Sequence, residues 1–217
     1  MTVGILFDLD GTLLDTLEDL HDSVNHALGQ FGFPVRTLEE IRRFVGNGAA
    51  NLIRQAVPEG CGEDTTAAVL GAFRAHYDAN CRNKTRPYPG IPKALEEVAS
   101  LYPTAIVSNK PDPAVKDLCR LYFPGVYALG EAPGCPRKPA PDMVFKAMKE
   151  LGVDACVYVG DSEVDVLTAR SAGVPCVSVL WGFRDREEME AVGGTHFCDD
   201  TGSPTAHPGR GHRHFGP

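Results

Sequence analysis

The sequence has no long apolar run, no paired cysteines and no excess of positive charge. None of its apolar runs approaches the roughly 20 residues of a membrane-spanning helix. The amino terminus lacks a basic stretch followed by a long apolar segment, so no secretory signal is expected. Seven scattered cysteines without a Cys-x-x-Cys pair argue against a disulfide framework and against a zinc site. We therefore predict a soluble, cytoplasmic protein.

The charge balance excludes one class of partner. Lys and Arg number 21 against 29 Asp and Glu, which gives a formal net charge of −8. Binding to nucleic acid requires a basic face that neutralises phosphates, so no nucleic-acid partner is expected. A small phosphorylated molecule needs only a local pocket and remains compatible with this charge. At 217 residues with 43% apolar content, the chain can bury a core of ordinary size.

The pattern of apolar residues changes along the chain. Helical periodicity extends from Leu17 to about Asn80, and no strand is predicted between the first strand and Tyr88. Farther along, predicted helices alternate with short apolar segments such as Thr104–Val107 and Cys156–Val159. Such alternation is typical of an α/β fold with a parallel sheet and helices on both faces. The first ~80 residues therefore predict a helical insert in this fold.

Asp8 and Asp10 are the first candidates for chemistry. They follow a short apolar strand and lie two residues apart, so both are expected to leave the sheet on the same side. Two close carboxylates repel each other unless a cation or a proton compensates their charge. Considered alone, an Asp-x-Asp pattern is better explained as a strand end capped by side-chain turns.

Other predicted strand ends carry polar residues that change this interpretation. Ser108 and Asn109 end one strand, and Asp161 and Asp165 follow another, while Lys138 lies in a proline-rich loop between them. Active sites of parallel α/β sheets lie at the carboxyl ends of the strands. Converging carboxylates suit a hard cation such as Mg²⁺, and a lysine with a hydroxyl and an amide suits a phosphoryl group. The set as a whole predicts a metal-assisted phosphoryl site.

These residues lie in four stretches that resemble the sequential motifs of the haloacid dehalogenase superfamily. The similarity covers about residues 3 to 200. It implies a Rossmann-like three-layer core, residues 1–14 and 89–200, and an inserted all-α C1 cap, residues 15–88. The four stretches are Asp8-Leu9-Asp10-Gly11-Thr12-Leu13, Val107-Ser108-Asn109-Lys110-Pro111, Lys138-Pro139-Ala140-Pro141-Asp142 and Val159-Gly160-Asp161-Ser162-Glu163-Val164-Asp165.

Within the superfamily, three stretches resemble the phosphoglycolate phosphatase branch. Neighbouring branches with other phosphorylated substrates share much of this pattern. The resemblance implies a monomer or homodimer that acts on a small phosphorylated metabolite, with 2-phosphoglycolate as the best candidate. The stretches are Phe44-Val45-Gly46-Asn47-Gly48-Ala49, Ser108-Asn109-Lys110-Pro111 and Trp181-Gly182-Phe183.

The resemblance also implies a role for each matching residue. Asp8 is expected to attack phosphorus and form an aspartyl-phosphate, and Asp10 to protonate the leaving group and then activate water. Ser108 and Lys138, assisted by Asn109, are expected to hold the phosphoryl oxygens.

The implied cofactor is Mg²⁺. Its expected ligands are the carboxylates of Asp8 and Asp161 and the backbone carbonyl of Asp10. Asp165 is expected near the metal, more as an indirect or water-mediated partner than as a direct ligand.

The sequence also leaves alternative functions to consider, both other enzyme activities and a protein without catalytic activity. The second aspartate, Asp10, argues against a haloalkanoate dehalogenase, and the absence of a lysine from the first cap helix argues against phosphonate cleavage. A sugar phosphomutase of the β-phosphoglucomutase kind and a catalytically silent binding protein stay open. In the cap, Arg42 or Arg43 could meet a substrate carboxylate and Asn47 lies in a polar break, although a solvated helix face explains the arginines better.

The end of the chain departs from the family pattern. Members of the superfamily usually continue after the last strand with a leucine-rich helix. Residues 201–217 are instead rich in Gly, Pro, His and Arg and lack an apolar period, which predicts disorder. Without that helix, an apolar surface is expected near the last strand.

Overall fold

A computed structural model describes residues 1–201 of the chain. Its centre is a six-stranded parallel sheet in the order β5-β4-β1-β6-β7-β8. The central position of β1 follows from its pairing with β4, where Ile5 lies opposite Thr104, and with β6, where Val3 lies opposite Ala155. In chain order these strands are β1 (Val3–Phe7), β4 (Thr104–Pro111), β5 (Tyr127–Glu131), β6 (Ala155–Gly160), β7 (Cys176–Val179) and β8 (Phe197–Cys198).

Helices cover both faces of this sheet. On one face, Ile91 of α5 and Leu118 of α6 pack with Ile106 of β4. On the other, Met143 of α7 and Ala169 of α8 pack with buried residues of β1, β4 and β6. The expected three-layer α/β core is therefore confirmed. The helices are α5 (Ile91–Leu101), α6 (Asp112–Tyr122), α7 (Asp142–Leu151), α8 (Glu163–Ala172) and a short α9 (Arg186–Ala191).

Four helices between β1 and α5 form the expected all-α insert. They are amphipathic, and their apolar faces share one cluster that includes Val24, Leu28, Ile41, Ile53 and Phe73. This cluster is separate from the two apolar clusters of the sheet. The insert consists of α1 (Leu17–Gln30), α2 (Leu38–Phe44), α3 (Gly48–Ala56) and α4 (Glu63–Asn80).

The sequence predicted no strand around the insert, and this was wrong. Two short antiparallel strands, β2 (Leu14–Asp15) and β3 (Arg86–Pro87), join the insert to the core. Strands of two residues are too short to produce an apolar period. The carboxylate of Asp19 also accepts hydrogen bonds from the backbone N–H groups of Lys84 and Thr85, which ties α1 to the returning chain. The domain boundaries predicted at residues 14/15 and 88/89 lie close to these strands.

One face of the sheet carries an open apolar groove next to α5. Its volume is about 300 Å³, and half-buried side chains such as Ile5, Phe7, Val157 and Val159 line it. This groove corresponds to the apolar surface expected near the last strand. The predicted disorder of the tail concerns residues that, apart from Thr201, lie outside the described part of the chain. Within residues 1–201, we find no helix with the length and apolar character of a membrane span.

Candidate active site

Adjacent strand ends bring the predicted polar residues together. Asp8 follows β1 directly, Ser108 and Asn109 lie in the second half of β4, and Asp161 follows β6. Because β4, β1 and β6 are neighbours and parallel, their carboxyl ends share one edge of the sheet. Lys138, from the loop before α7, reaches the same edge.

Lys138 is a buried cation between two carboxylates. Its Nζ lies 2.8 Å from Oδ1 of Asp8 and 2.8 Å from Oδ1 of Asp165, and it donates to the Tyr158 hydroxyl at 3.0 Å. Burial opposes the charge of Lys138, but the attraction of Asp165 and Asp8 outweighs it, so its pKa lies well above the ordinary value. The ammonium therefore stays charged where a phosphoryl group would meet Asp8.

The backbone of Lys138 is held by Asn109. The Lys138 N–H donates to the side-chain oxygen Oδ1 of Asn109 at 2.8 Å, and the side-chain amide nitrogen Nδ2 of Asn109 donates to the Lys138 backbone carbonyl at 3.0 Å. The same amide nitrogen donates to the carbonyl of Gly46 in the cap at 3.1 Å. Asn109 thus contacts the loop that carries Lys138 and the cap, whereas the sequence suggested that it assists at the phosphoryl oxygens.

Ser108 has a hydroxyl proton available for a ligand. Its Oγ accepts a hydrogen bond from the Lys110 N–H at 3.2 Å, and its side chain lines the same cavity as Asp8. A hydroxyl that already accepts can still donate, which suits it to a phosphoryl oxygen.

Asp10 pairs with a lysine to which the sequence assigned no role. Nζ of Lys110 lies 2.7 Å from Oδ1 of Asp10 and donates at 2.7 Å to the hydroxyl of Tyr77 in α4. Burial disfavours this cation, but the attraction of Asp10 and then Tyr77 raises the Lys110 pKa above its ordinary value. Lys110 directly follows Ser108 and Asn109 in the sequence, and that adjacency was the available signal.

Asp161 is held by the two loops that surround it. Its carboxylate accepts from the Thr12 hydroxyl at 3.0 Å and from the Phe183 N–H at 2.8 Å. A Cβ on Gly11 or on Gly182 would overlap the Asp161 carboxyl, so both loops can approach only because these residues are glycines. Burial, followed by the charge of Asp165, raises the pKa of Asp161 to about 7.

Both carboxylate oxygens of Asp165 contact other groups of the protein. Oδ1 pairs with Lys138, and Oδ2 accepts from the Ser162 N–H at 3.1 Å and from the Ser162 hydroxyl at 2.7 Å. These contacts form a capping box at the start of α8. Although Asp165 lies close to Asp8 and Asp161, its bonds suit it to holding Lys138 and α8 rather than a metal ion.

The donor set fits a divalent cation. Three buried residues, Asp8, Asp161 and Asp165, each contribute one carboxylate oxygen to a cluster. These three oxygens lie within 4.8 Å of one another. Three negative charges face one ammonium, that of Lys138, which leaves an excess of two negative charges. Burial, opposed by Lys138 and reinforced by Asp165 and Asp161, also raises the Asp8 pKa well above its ordinary value. A hard cation with oxygen ligands would compensate this charge.

The cap closes a small cavity over these groups. The cavity has a volume of about 70 Å³, and cap residues including Gly46, Phe73 and Tyr77 line it together with Asp8 and Asp10. This volume is far below the ~300–1,000 Å³ of pockets for drug-sized ligands. With the cap in this position, the cavity admits only a small ligand.

The cap residues suggested by the sequence lie elsewhere. Arg42 donates to the Gly182 carbonyl at 3.3 Å, and its guanidinium lies 3.5 Å from Asp185. Neither Arg42 nor Asn47 lines the cavity. Two arginines that sequence reasoning missed do line it, Arg74 of α4 in the cap and Arg184 of the core. Arg184 directly follows Trp181-Gly182-Phe183, and that adjacency was the available signal.

The fold and this arrangement agree with the comparisons to known proteins. A model of the haloacid dehalogenase-like hydrolases matches residues 5–179. Phosphoglycolate phosphatase 1 of Pseudomonas aeruginosa is 35% identical over 190 residues, covering 82% of this chain and 70% of that protein. The phosphoglycolate phosphatase of Rhodobacter capsulatus is 36% identical over 194 residues, covering 85% and 87% of the two chains.

A solved structure gives the same result. The protein from Lactobacillus delbrueckii subsp. bulgaricus, provisionally identified as a phosphoglycolate phosphatase, superposes with a TM-score of 0.87 at 36% identity. The alignment covers 91% of this chain and 94% of that one. The chain belongs to the haloacid dehalogenase-like hydrolases. The expected family and enzyme class, a hydrolase similar to phosphoglycolate phosphatases, are thereby confirmed.

Proposed function

We propose that the protein is a Mg²⁺-dependent phosphatase that hydrolyses 2-phosphoglycolate through an aspartyl-phosphate on Asp8. The observation that carries the proposal is the convergence of Asp8, Ser108 and Lys138 on one cavity between cap and core. The choice of substrate is supported by the names of the relatives at about 35% identity and by the small cavity.

The first half-reaction moves the phosphoryl group to the enzyme. An oxygen of Asp8 attacks phosphorus while Lys138 and Ser108 hold the phosphoryl oxygens. The bond between phosphorus and the ester oxygen breaks, and Asp10 donates a proton to the leaving glycolate oxygen. The products are an aspartyl-phosphate on Asp8 and free glycolate.

The second half-reaction restores the enzyme. Asp10, now a carboxylate, accepts a proton from a water molecule that attacks phosphorus. The bond between phosphorus and the Asp8 oxygen breaks, and inorganic phosphate leaves. Asp10 regains its proton in this step and is ready for the next substrate.

The metal ion has a defined place in this proposal. The carboxylates of Asp8 and Asp161 and the backbone carbonyl of Asp10 would hold it. When bound, Mg²⁺ supplies positive charge for the transferring phosphoryl oxygens. Asp165 contributes indirectly, by fixing Lys138.

The test is phosphate release from a panel of phosphate esters, with and without Mg²⁺. The panel holds 2-phosphoglycolate, several sugar phosphates, pyrophosphate and a nucleotide. We expect the highest kcat/KM for 2-phosphoglycolate, a requirement for Mg²⁺, and no release by Asp8→Asn. Phosphate transfer to a sugar without net release would favour a phosphomutase, and inactivity toward the whole panel would favour a silent binding protein.

A further inference from the structure

Lys110 is the second buried lysine of the site. It lies near the end of β4, and its side chain is 4% exposed. Its Nζ donates at 2.7 Å to Oδ1 of Asp10 and at 2.7 Å to the hydroxyl of Tyr77. Removing an ammonium from water is costly unless its donors find partners, so this geometry is strongly constrained. Asp8 thus pairs with Lys138, and Asp10 pairs with Lys110.

Tyr77 connects this pair to the cap. It belongs to α4, where its ring stacks on Phe73 with centroids 5.4 Å apart and lies in the apolar cluster of the cap. Its hydroxyl accepts a hydrogen bond from Lys110 of the core, and Nζ of Lys110 also lies 4.8 Å from the centroid of its ring. The Lys110 ammonium therefore bonds to one residue of the core and one of the cap at the same time.

The contact fixes one side of the Asp10 carboxylate. Oδ1 is held by Lys110, and within the described residues the Asp10 side chain has no other hydrogen bond or ion pair. Asp10 lines the cavity beside Asp8, so Oδ2 is left to exchange a proton with a leaving group or with water. Holding one oxygen removes rotation of the carboxylate that would otherwise have to be suppressed during the reaction.

We propose that Lys110 is a positioning residue that aims Asp10 at the reacting ester oxygen, and that Tyr77 completes this arrangement when the cap is docked. The inference rests on the proposed function, because it assumes that Asp10 protonates the leaving group. It adds a residue of the core and a residue of the cap that act through Asp10.

The test compares two small substrates that differ in their leaving groups. The alkoxide that leaves 2-phosphoglycolate needs a proton, whereas the acetate that leaves acetyl phosphate is a weak base and needs none. The value of kcat/KM reports the steps up to departure of the leaving group. Mispositioning of Asp10 should therefore lower kcat/KM for 2-phosphoglycolate and spare acetyl phosphate.

For Lys110→Met we expect the ratio of kcat/KM values, 2-phosphoglycolate over acetyl phosphate, to fall on the order of 10²-fold. Tyr77→Phe keeps the ring and its stacking, so we expect a smaller fall in the same direction. The matched control is Lys116→Met, which removes an exposed lysine paired with Asp112 at 2.6 Å and should leave the ratio unchanged.

The outcomes separate the inference from the proposed function. An unchanged ratio of kcat/KM values in folded Lys110→Met, including one that results from an equal loss on both substrates, would overturn the inference. The phosphatase activity of the unmodified protein would still stand. If Lys110→Met does not fold, an unchanged ratio in Tyr77→Phe overturns the role of the cap contact, and a lowered ratio supports it. Absence of phosphate release from both substrates by the unmodified protein would overturn the proposed function and the inference with it.

Discussion

Nζ of Lys138 lies 2.8 Å from Oδ1 of Asp8, and the two side chains are only 2% and 11% exposed. The same ammonium lies 2.8 Å from Asp165, so one cation separates two buried carboxylates. The loop that carries Lys138 is held by Asn109 on its backbone. Lys138 is thereby oriented before any substrate enters.

Replacing Lys138 by methionine should remove most of the catalytic rate. The variant keeps a long side chain but loses the charge that offsets Asp8 and meets the phosphoryl group. Loss of one oriented donor typically lowers kcat by about 10²–10³-fold, and we expect at least this effect. Steady-state kinetics with 2-phosphoglycolate measure it. Lys149→Met, an exposed lysine on α7, is the control, and a folded Lys138→Met protein within tenfold of the control would contradict the prediction.

Asp165→Asn should destabilise the fold as well as the site. The change keeps the shape of the side chain but leaves the buried Lys138 ammonium with one fewer counter-charge. Breaking a buried pair by removing one partner costs about 3–5 kcal/mol of unfolding free energy. Urea unfolding, followed by circular dichroism, measures this loss.

A second capping box in the chain provides the control for Asp165→Asn. Glu188 occupies the same third position in α9 and accepts a hydrogen bond from the N–H of Asp185 at 2.9 Å, but its side chain is 52% exposed. The buried Arg184 lies 4.0 Å from Glu188 and has a closer partner in Glu163 at 2.9 Å, so Glu188→Gln leaves no buried cation unpaired. Glu188→Gln should cost at most about 1 kcal/mol. Equal losses in the two variants would mean that Asp165 matters only as a helix cap.

Local signals in the sequence predicted the helices and strands well. The Thr37–Glu40 capping box begins α2 and the left-handed Gly152 ends α7, and each of these signals can be read from neighbouring residues alone. The parallel strands followed from their apolar runs, although β4 continues to Pro111, beyond the Ser108 and Asn109 at which the sequence placed its end. Such features depend on a few consecutive residues, which is why the sequence shows them.

Contacts between cap and core were not predictable in the same way. The Lys110–Tyr77 bond joins residues 33 positions apart, and Arg184 contacts carbonyls about 140 positions away. These contacts depend on how α2 and α4 lie over the sheet, which no local pattern encodes. The sequence therefore suggested Arg42 of α2 as a substrate ligand, whereas the arginines that line the cavity are Arg74 of α4 and Arg184 of the core.

The metal-free protein should lose stability as the pH rises toward 7. The Asp161 pKa is raised from 3.8 to about 7 in the fold. Because the folded state binds this proton more tightly than the unfolded chain, the stabilisation is complete below the unfolded pKa and is lost as the pH rises through the folded one. We expect a lower unfolding free energy in EDTA at about pH 8 than at about pH 5.5.

Two comparisons test whether Asp161 causes this pH dependence of the unfolding free energy. Asp161→Asn cannot ionise there, so its unfolding free energy in EDTA should fall less between the two pH values. A metal ion that binds only the folded, ionised site adds stability by mass action, so Mg²⁺ should raise the unfolding free energy more at the higher pH. A pH dependence identical in the variant and the unmodified protein would refute the assignment.

Arg184 should hold the cap against the core. Its guanidinium donates to three carbonyls at the end of α2, those of Arg42, Arg43 and Val45, at 2.7–3.0 Å, and pairs with Glu163 at 2.9 Å. A cation at a helix carboxyl terminus also meets the negative end of the helix dipole.

Arg184→Met should therefore release the end of α2, at a cost of about 1.5–3 kcal/mol in unfolding free energy. We expect faster limited proteolysis in residues 45–48 and a higher KM for 2-phosphoglycolate, because the cap must close without this contact. Arg186→Met, an arginine two positions on that is 44% exposed and pairs with Asp199, is the matched control. Proteolysis of Arg184→Met at the rate of the control would show that the cap is held by its apolar and Asn109 contacts instead.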